Sequence, residues 1–250
     1  MSGPELWTRL QHRVAVQTNY LRGVLPPAAG ICAVCRGPAA AGFTRCYQCH
    51  QQHQLAHGRT ADAVVPIAYA VKSSQHAHNL WAYKSSPPVA RAAADLSALL
   101  VVFLRDHGAC LARIAGGALT LWGSVPSTRG RPGPHPVEGL VRGAVLLPRL
   151  EAEADVRYRA EDREFHRDRF VVRTGDAALD GQRILVLDDT WTTGARTQSL
   201  ACALKEQGAA SVVTLVLGRH LNPSYGPAGP ILDAIRDSRF DPDRCAADDL

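Results

Sequence analysis

The sequence predicts an α/β fold, a parallel sheet with flanking helices, preceded by a small cysteine-bearing module. Three observations carry that reading. Candidate strands alternate with candidate helices along most of the chain, the order that builds a parallel sheet through crossover helices. The runs Ile184–Leu187 and Val212–Leu217 are apolar almost throughout, as strands buried on both faces must be. Four of the seven cysteines fall within Cys32–Cys49, a stretch too short to bury a core of its own. The 250 residues leave room for one sizeable α/β domain and one appendage, expected at 61–250 and 1–60.

The helical spacing of Leu6, Leu10, Val14 and Leu21 predicts a first helix over Glu5–Arg22, broken by Pro26-Pro27 and Gly30. Val64–Val71 reads as a strand. Pro87-Pro88 opens a long helix whose buried face carries Ala92, Leu96, Leu99, Leu100, Phe103 and Leu104, with Gly108 as its stop. Leu119–Val125 follows as a strand, then a Pro/Gly/Arg-rich loop over Pro126–Pro136. Ala144–Leu147 and Phe170–Val172 are short strand candidates. Arg183–Leu187 is a strand, and Thr197–Gln207 a helix stopped by Gly208. Val212–Leu217 is the last clear strand and Ile231–Arg236 a short helix.

A net charge of +5 and a pI near 8.9 suit anionic ligands in general but do not by themselves argue for nucleic acid. The longest apolar run, Ala98–Leu104, is far short of the ~20 residues a bilayer needs. Met1–Leu10 contains Glu5 and Arg9 and no apolar signal core. An odd number of cysteines argues against a disulfide framework, so the expected location is the reducing cytoplasm.

Cys32-x2-Cys35-x10-Cys46-x2-Cys49 is a four-thiolate set in which each pair can chelate one tetrahedral Zn²⁺ from a tight knuckle. A structural zinc ribbon is the expectation, with Gly37 suited to the turn in which amides approach the sulfur. Cys46-Tyr47-Gln48-Cys49-His50 also fits a haem c attachment pattern, but that reading leaves Cys32 and Cys35 idle. His50, His53 and His57 fall at helical spacing and read as a solvated helix face after the ribbon.

The most informative stretch runs from Ile184 to Thr197. A buried strand ends in two carboxylates, Asp188 and Asp189, where ligands of open α/β sheets bind. Then come Thr192-Thr193-Gly194-Ala195-Arg196-Thr197, small and hydroxylated residues directly before a helix. Backbone N–H groups, the helix N-terminus and the threonine hydroxyls there make a site for a phosphate monoester. The carboxylates are acceptors, so their natural partners are hydroxyl groups or a metal ion. A sugar diol beside a phosphate satisfies both halves. An ordinary strand–turn–helix with an acidic cap is the simpler reading; two adjacent acids followed by Thr-Thr-Gly argue against it. No G-x-x-x-x-G-K-[ST] and no G-x-G-x-x-G after a strand is present.

This segment closely resembles the phosphoribosyl diphosphate signature of type I phosphoribosyltransferases. The resemblance implies that Asp188 and Asp189 contact the ribose hydroxyls and that Thr192 to Thr197 hold the 5-phosphate, with Mg²⁺ on the diphosphate. Thr190 and Trp191 replace the two aliphatics usual after the acids, and Trp191 either covers the site or simply packs. Arg196 stands where a small residue or Thr is common, and either adds charge to the phosphate site or crowds it. Thr192 occupies a position that is usually acidic in hypoxanthine-guanine enzymes, which weakens a 6-oxopurine reading. A ribbon followed by such a domain is similar to the ComF-type family, named for its link to natural DNA uptake. Tyr83-Lys84, the Val125-Pro126 loop, the Arg-rich segment with Phe170 and the Asp188-Asp189 loop occur in that family's order. Gly133-Pro134-His135-Pro136 departs from it.

On this resemblance Ser127, Thr128 and Arg129 are candidates for a diphosphate-binding loop; the alternative is a solvated surface loop. Arg157–Arg173 holds six arginines among acids and is either a basic hood or a solvated helix face. Two functions follow. One is transfer of a phosphoribosyl group to a nitrogen acceptor. The other is a non-catalytic phosphoribosyl sensor or scaffold whose ribbon binds a protein or single-stranded DNA. Cys245 is either a spare thiol or approaches the ribbon.

Overall fold

The computed structural model describes residues 3–127, 135–141, 143–159, 161–173 and 179–248. The core is a mostly parallel sheet in the order β1 (Arg22–Gly23), β2 (Ala63–Val71), β7 (Ser211–Leu221), β6 (Arg183–Trp191), β3 (Leu121–Ser124). Only the β1–β2 pair is antiparallel. Side chains alternate across the sheet. Leu185 and Leu187 of β6 join one core with Val65, Val213 and Leu215, whereas Ile184 and Val186 join a second core with Val64, Val212 and Val216.

Helices cover the first face: α1 (Gly3–Gln17), α3 (Gln75–Ala82), α4 (Ala90–Ile114) and α5 (Pro136–Leu140). Val14, Leu80, Leu96, Leu99, Phe103 and Leu140 are their buried contributions. The second face is covered by α6 (Ala195–Glu206), by the cysteine module with its helix α2 (Tyr47–Leu55), and by a hairpin of β4 (Glu151–Ala154) and β5 (Phe170–Arg173). Leu200, Leu204, Cys32, Cys35, Phe170 and Val172 share that core. A short α7 (Gly229–Ile235) packs against Tyr69 and Leu221. Among the described residues, no helix is long and apolar enough to cross a membrane.

Three expectations are corrected here. Gly108 does not stop the long helix; α4 continues to Ile114 and ends before Gly116 and Gly117, both at positive φ. A helical glycine costs only about 1 kcal/mol, and the fully buried Leu111 outweighs it. Ala144–Leu147 is not a strand, and Leu146 is 92% exposed. The partner of β5 is instead Glu151–Ala154, whose Ala152 and Ala154 face the core too weakly for alternation to stand out. The strand β6 does not end at Leu187; it runs through both acids to Trp191, paired with β7 throughout.

Helix α3 sits on the sheet where Gly218 leaves room for it. A Cβ at Gly218 would crowd Leu80, Ala70 and the His76 ring. His76 is buried, its Nε2 donating to the Leu217 carbonyl oxygen at 3.0 Å. Its Nδ1 is buried without a partner, so a second proton there would have no acceptor. Burial pushes the imidazole down from 6.5 to about 4. The unfolded chain takes up this proton near pH 6.5 and the folded chain only near pH 4. Stability is therefore full above about pH 6.5 and falls by roughly 3 kcal/mol as the pH drops to about 4. Urea midpoints measured from pH 7 to pH 4 should show this loss, and His76→Asn should remove that part of the slope.

Candidate ligand site and cysteine cluster

The pleat of β6 sends its two acids to opposite faces. Asp188 falls on the α6 side and accepts a hydrogen bond from the Thr197 hydroxyl at 2.8 Å. Asp189 falls on the α3–α4 side, where Tyr83 Oη donates to it at 2.5 Å and Lys84 Nζ at 2.7 Å. Burial, then the neighbouring charge of Asp189, raises the Asp188 carboxyl above its ordinary range. Burial would also raise Asp189, but the charges of Lys84 and His135, with the Lys84 and Tyr83 hydrogen bonds, hold it low. The pair thus carries one firmly ionised carboxylate and one that a cation or hydroxyl donor would draw into ionisation.

After Trp191 the chain turns through Thr192 and Thr193 into Gly194, which has φ +76 and precedes α6. Glycine is required twice over. The left-handed backbone strains any other residue, and a Cβ would overlap the Trp191 ring. Trp191 is buried, so of the two readings open for it the packing role holds. The N-terminus of α6 opens on this turn, where the Ala195 amide donates to the Thr193 hydroxyl at 3.4 Å. Amides and helix dipole together favour an anion.

These elements line one open cavity of about 630 Å³. It brings together Asp188, Asp189, all of Thr192 to Thr197, and Ser127 from the loop after β3. Thr128 and Arg129 lie outside the described residues. Lys84, Trp81, His135, Arg163, Glu161 and His220 complete much of the wall. Lys84 and His135 lie on stretches that the family resemblance named, and Glu161 and Arg163 in the Arg-rich segment offered as a hood. Trp81 and His220 were not singled out and become neighbours only through the topology.

The Arg-rich segment is not a helix face. It leaves β4 and returns on β5 as an irregular flap seated on the start of α6. Thr193 Oγ1 donates to the Arg163 carbonyl oxygen at 3.4 Å, Arg196 to that of Asp162 at 3.3 Å, and the His166 amide to Ser199 at 3.0 Å. Within the flap, fully buried Arg169 pairs with Asp162 at 2.9 Å and lies over the Tyr158 ring, which stacks on His166. Its arginines therefore divide: Arg169 is structural, and Arg163 faces the cavity.

The four cysteines meet on the second face of the sheet. The Sγ atoms of Cys32, Cys35, Cys46 and Cys49 all lie within 4.8 Å of one another. Hydrogen bonds from Cys32, then from Cys46 and Cys49, lower the Cys35 thiol, while Cys32, Cys35 and Cys46 together raise Cys49. Thiols sharing protons in this way form the donor set that one divalent cation satisfies, and the cluster is compatible with a structural zinc. Arg219 of β7 runs beneath them. Its Nε donates to the Cys35 carbonyl oxygen at 2.9 Å, and its Nη1 to those of Trp191 at 3.2 Å, Thr192 at 3.3 Å and His220 at 2.5 Å. A Cβ at Gly37 would overlap this guanidinium. Gln52 of α2 adds a bond to the Thr193 carbonyl oxygen at 2.9 Å.

No protein-family model matches the chain, and no curated protein matches it.

Replacing Gly194 by alanine combines a strained backbone with a clash on Trp191. It should cost at least about 2 kcal/mol, read as a lower urea midpoint. The near-ultraviolet circular dichroism of Trp191 should change with it, and an Ala195→Gly control should leave that signal in place.

Proposed function

We propose that this protein is a phosphoribosyltransferase-like protein that binds phosphoribosyl diphosphate with Mg²⁺. One observation carries the reading: a single cavity is shared by adjacent carboxylates at the end of a parallel strand, a Thr-Thr-Gly turn at a helix N-terminus, and Ser127. The turn and the first amides of α6 take the 5-phosphate. Asp188 and Asp189 accept from the ribose hydroxyls. Lys84, Arg163 and Arg196 supply positive charge around an anion-rich ligand. The carboxylate pair suits Mg²⁺, an oxygen-seeking cation that would neutralise charge on the departing diphosphate. In the transfer reaction a nitrogen nucleophile forms a bond to C1 of the ribose as the C1–O bond to diphosphate breaks. The nitrogen sheds its proton to solvent or a base. The flap, seated on the phosphate turn, excludes water from one side of that centre. The type I fold of this enzyme class, and membership of the ComF-type family, belong to the same proposal and rest on the parallel sheet, the acid pair and the cysteine cluster.

A second reading is a phosphoribosyl sensor or scaffold with a ribbon that docks a partner. Phe43 and Tyr47 favour it: both rings are exposed on the cysteine module, 67% and 72%. Protein or single-stranded DNA are the partners of matching chemistry.

Calorimetry with phosphoribosyl diphosphate and Mg²⁺ separates these from no function of the kind. The zinc-loaded parent should bind in the micromolar range, and the Asp188→Asn, Asp189→Asn double variant at least tenfold more weakly. No binding by a folded parent would sink the enzyme and the sensor and leave a scaffold with a ribbon for partners. Binding without diphosphate release across nitrogen acceptors would favour the sensor.

A further inference from the structure

A second group of metal-ligating side chains lies away from the cavity and the ribbon. His107 and Cys110 share one face of α4, three residues apart. Cys245, from the C-terminal segment, meets them, and the three ligand atoms lie within 4.8 Å of one another. Cys245 is therefore not at the ribbon. His107 and Cys245 are buried, and Cys110 is half-buried. His107 Nε2 donates to the Pro242 carbonyl oxygen at 2.7 Å. That bond fixes the tautomer, leaving Nδ1 with the lone pair, and a carbonyl partner of this kind orients metal-binding histidines.

We propose that His107, Cys110 and Cys245 form a second zinc site, with solvent in the fourth position. Two thiols and an imidazole are a soft, borderline donor set that suits Zn²⁺. Zn–S bonds of about 2.3 Å and Zn–N bonds of about 2.0 Å put ligand atoms roughly 3.5–3.8 Å apart. The group is thus open by no more than about 1 Å, a distance that small rotations of three side chains close. The site would fasten the C-terminal segment to α4, where Phe240, Ala246 and Ala247 already bury apolar surface. It would also stabilise the ribbon indirectly, because Arg36 of the cysteine module donates to the Ala246 carbonyl oxygen at 3.0 Å. The inference is independent of any reaction in the cavity.

The test is metal content and thiol titration of the full chain, purified with zinc and exchanged into buffer with a weak chelator. Two zinc ions per chain are expected. Cys110→Ser, at a half-buried position that spares the core, should lower the count to one with the circular dichroism intact. Cobalt substitution should give sulfur-to-metal charge-transfer absorption that the same variant reduces but does not abolish. One zinc per chain in the parent, unchanged in Cys110→Ser, would overturn the site. So would a parent that lacks two titratable thiols because Cys110 and Cys245 have joined in a disulfide.

Discussion

The guanidinium of Arg219 is buried where the cysteine module meets the turn after β6. It gives hydrogen bonds to carbonyls on both sides, Cys35 on one and Trp191, Thr192 and His220 on the other. A buried cation with no partner costs several kcal/mol, so its surroundings are constrained to supply acceptors and negative charge. The carbonyls supply the first and Cys35, whose thiol is held low, the second. Gly37 must stay small to admit it, and Trp191 and Thr192 must hold their carbonyls toward it. Those carbonyls belong to the turn whose amides face the cavity. The shape of the candidate phosphate site is thus fixed from behind by the ribbon, and Gln52 adds a second tether at Thr193.

A second constraint is the pleat. Because β6 remains a paired strand through Trp191, Asp188 and Asp189 make different hydrogen bonds although both line the cavity. One meets Thr197 and the α6 turn; the other meets Tyr83 and Lys84. Adjacent carboxylates would otherwise repel, and dividing them between two faces gives each its own partner. The same alternation divides the core, so helices α1, α3, α4 and α5 serve one acid and α6 with the ribbon serves the other.

Much of this was legible in the sequence. The apolar runs of β2, β6 and β7, the helical face of α4 and the cysteine spacing are strong local patterns, and each marks a real element. Asp188, Asp189 and the Thr-Thr-Gly turn stood out because their chemistry is contiguous. What stayed hidden depends on contacts between distant segments. Arg219 lies just past the apolar run Val212–Leu217, where the sequence carries no pattern. The β4–β5 hairpin was masked by alanines on its inner face, and α3 by its polar composition. The His107–Cys110–Cys245 group needed the C-terminal segment to be laid against α4, which spacing does not indicate.

The dependence of the cavity turn on the ribbon can be measured by amide hydrogen exchange of the full zinc-loaded chain, before and after the metal is stripped by a strong chelator. If Arg219 couples the two, amides 192–197 lose protection together with amides 32–49, while the centre of β2 keeps its own. Unchanged protection at 192–197 after complete metal loss would contradict the coupling and leave the ribbon a separate appendage.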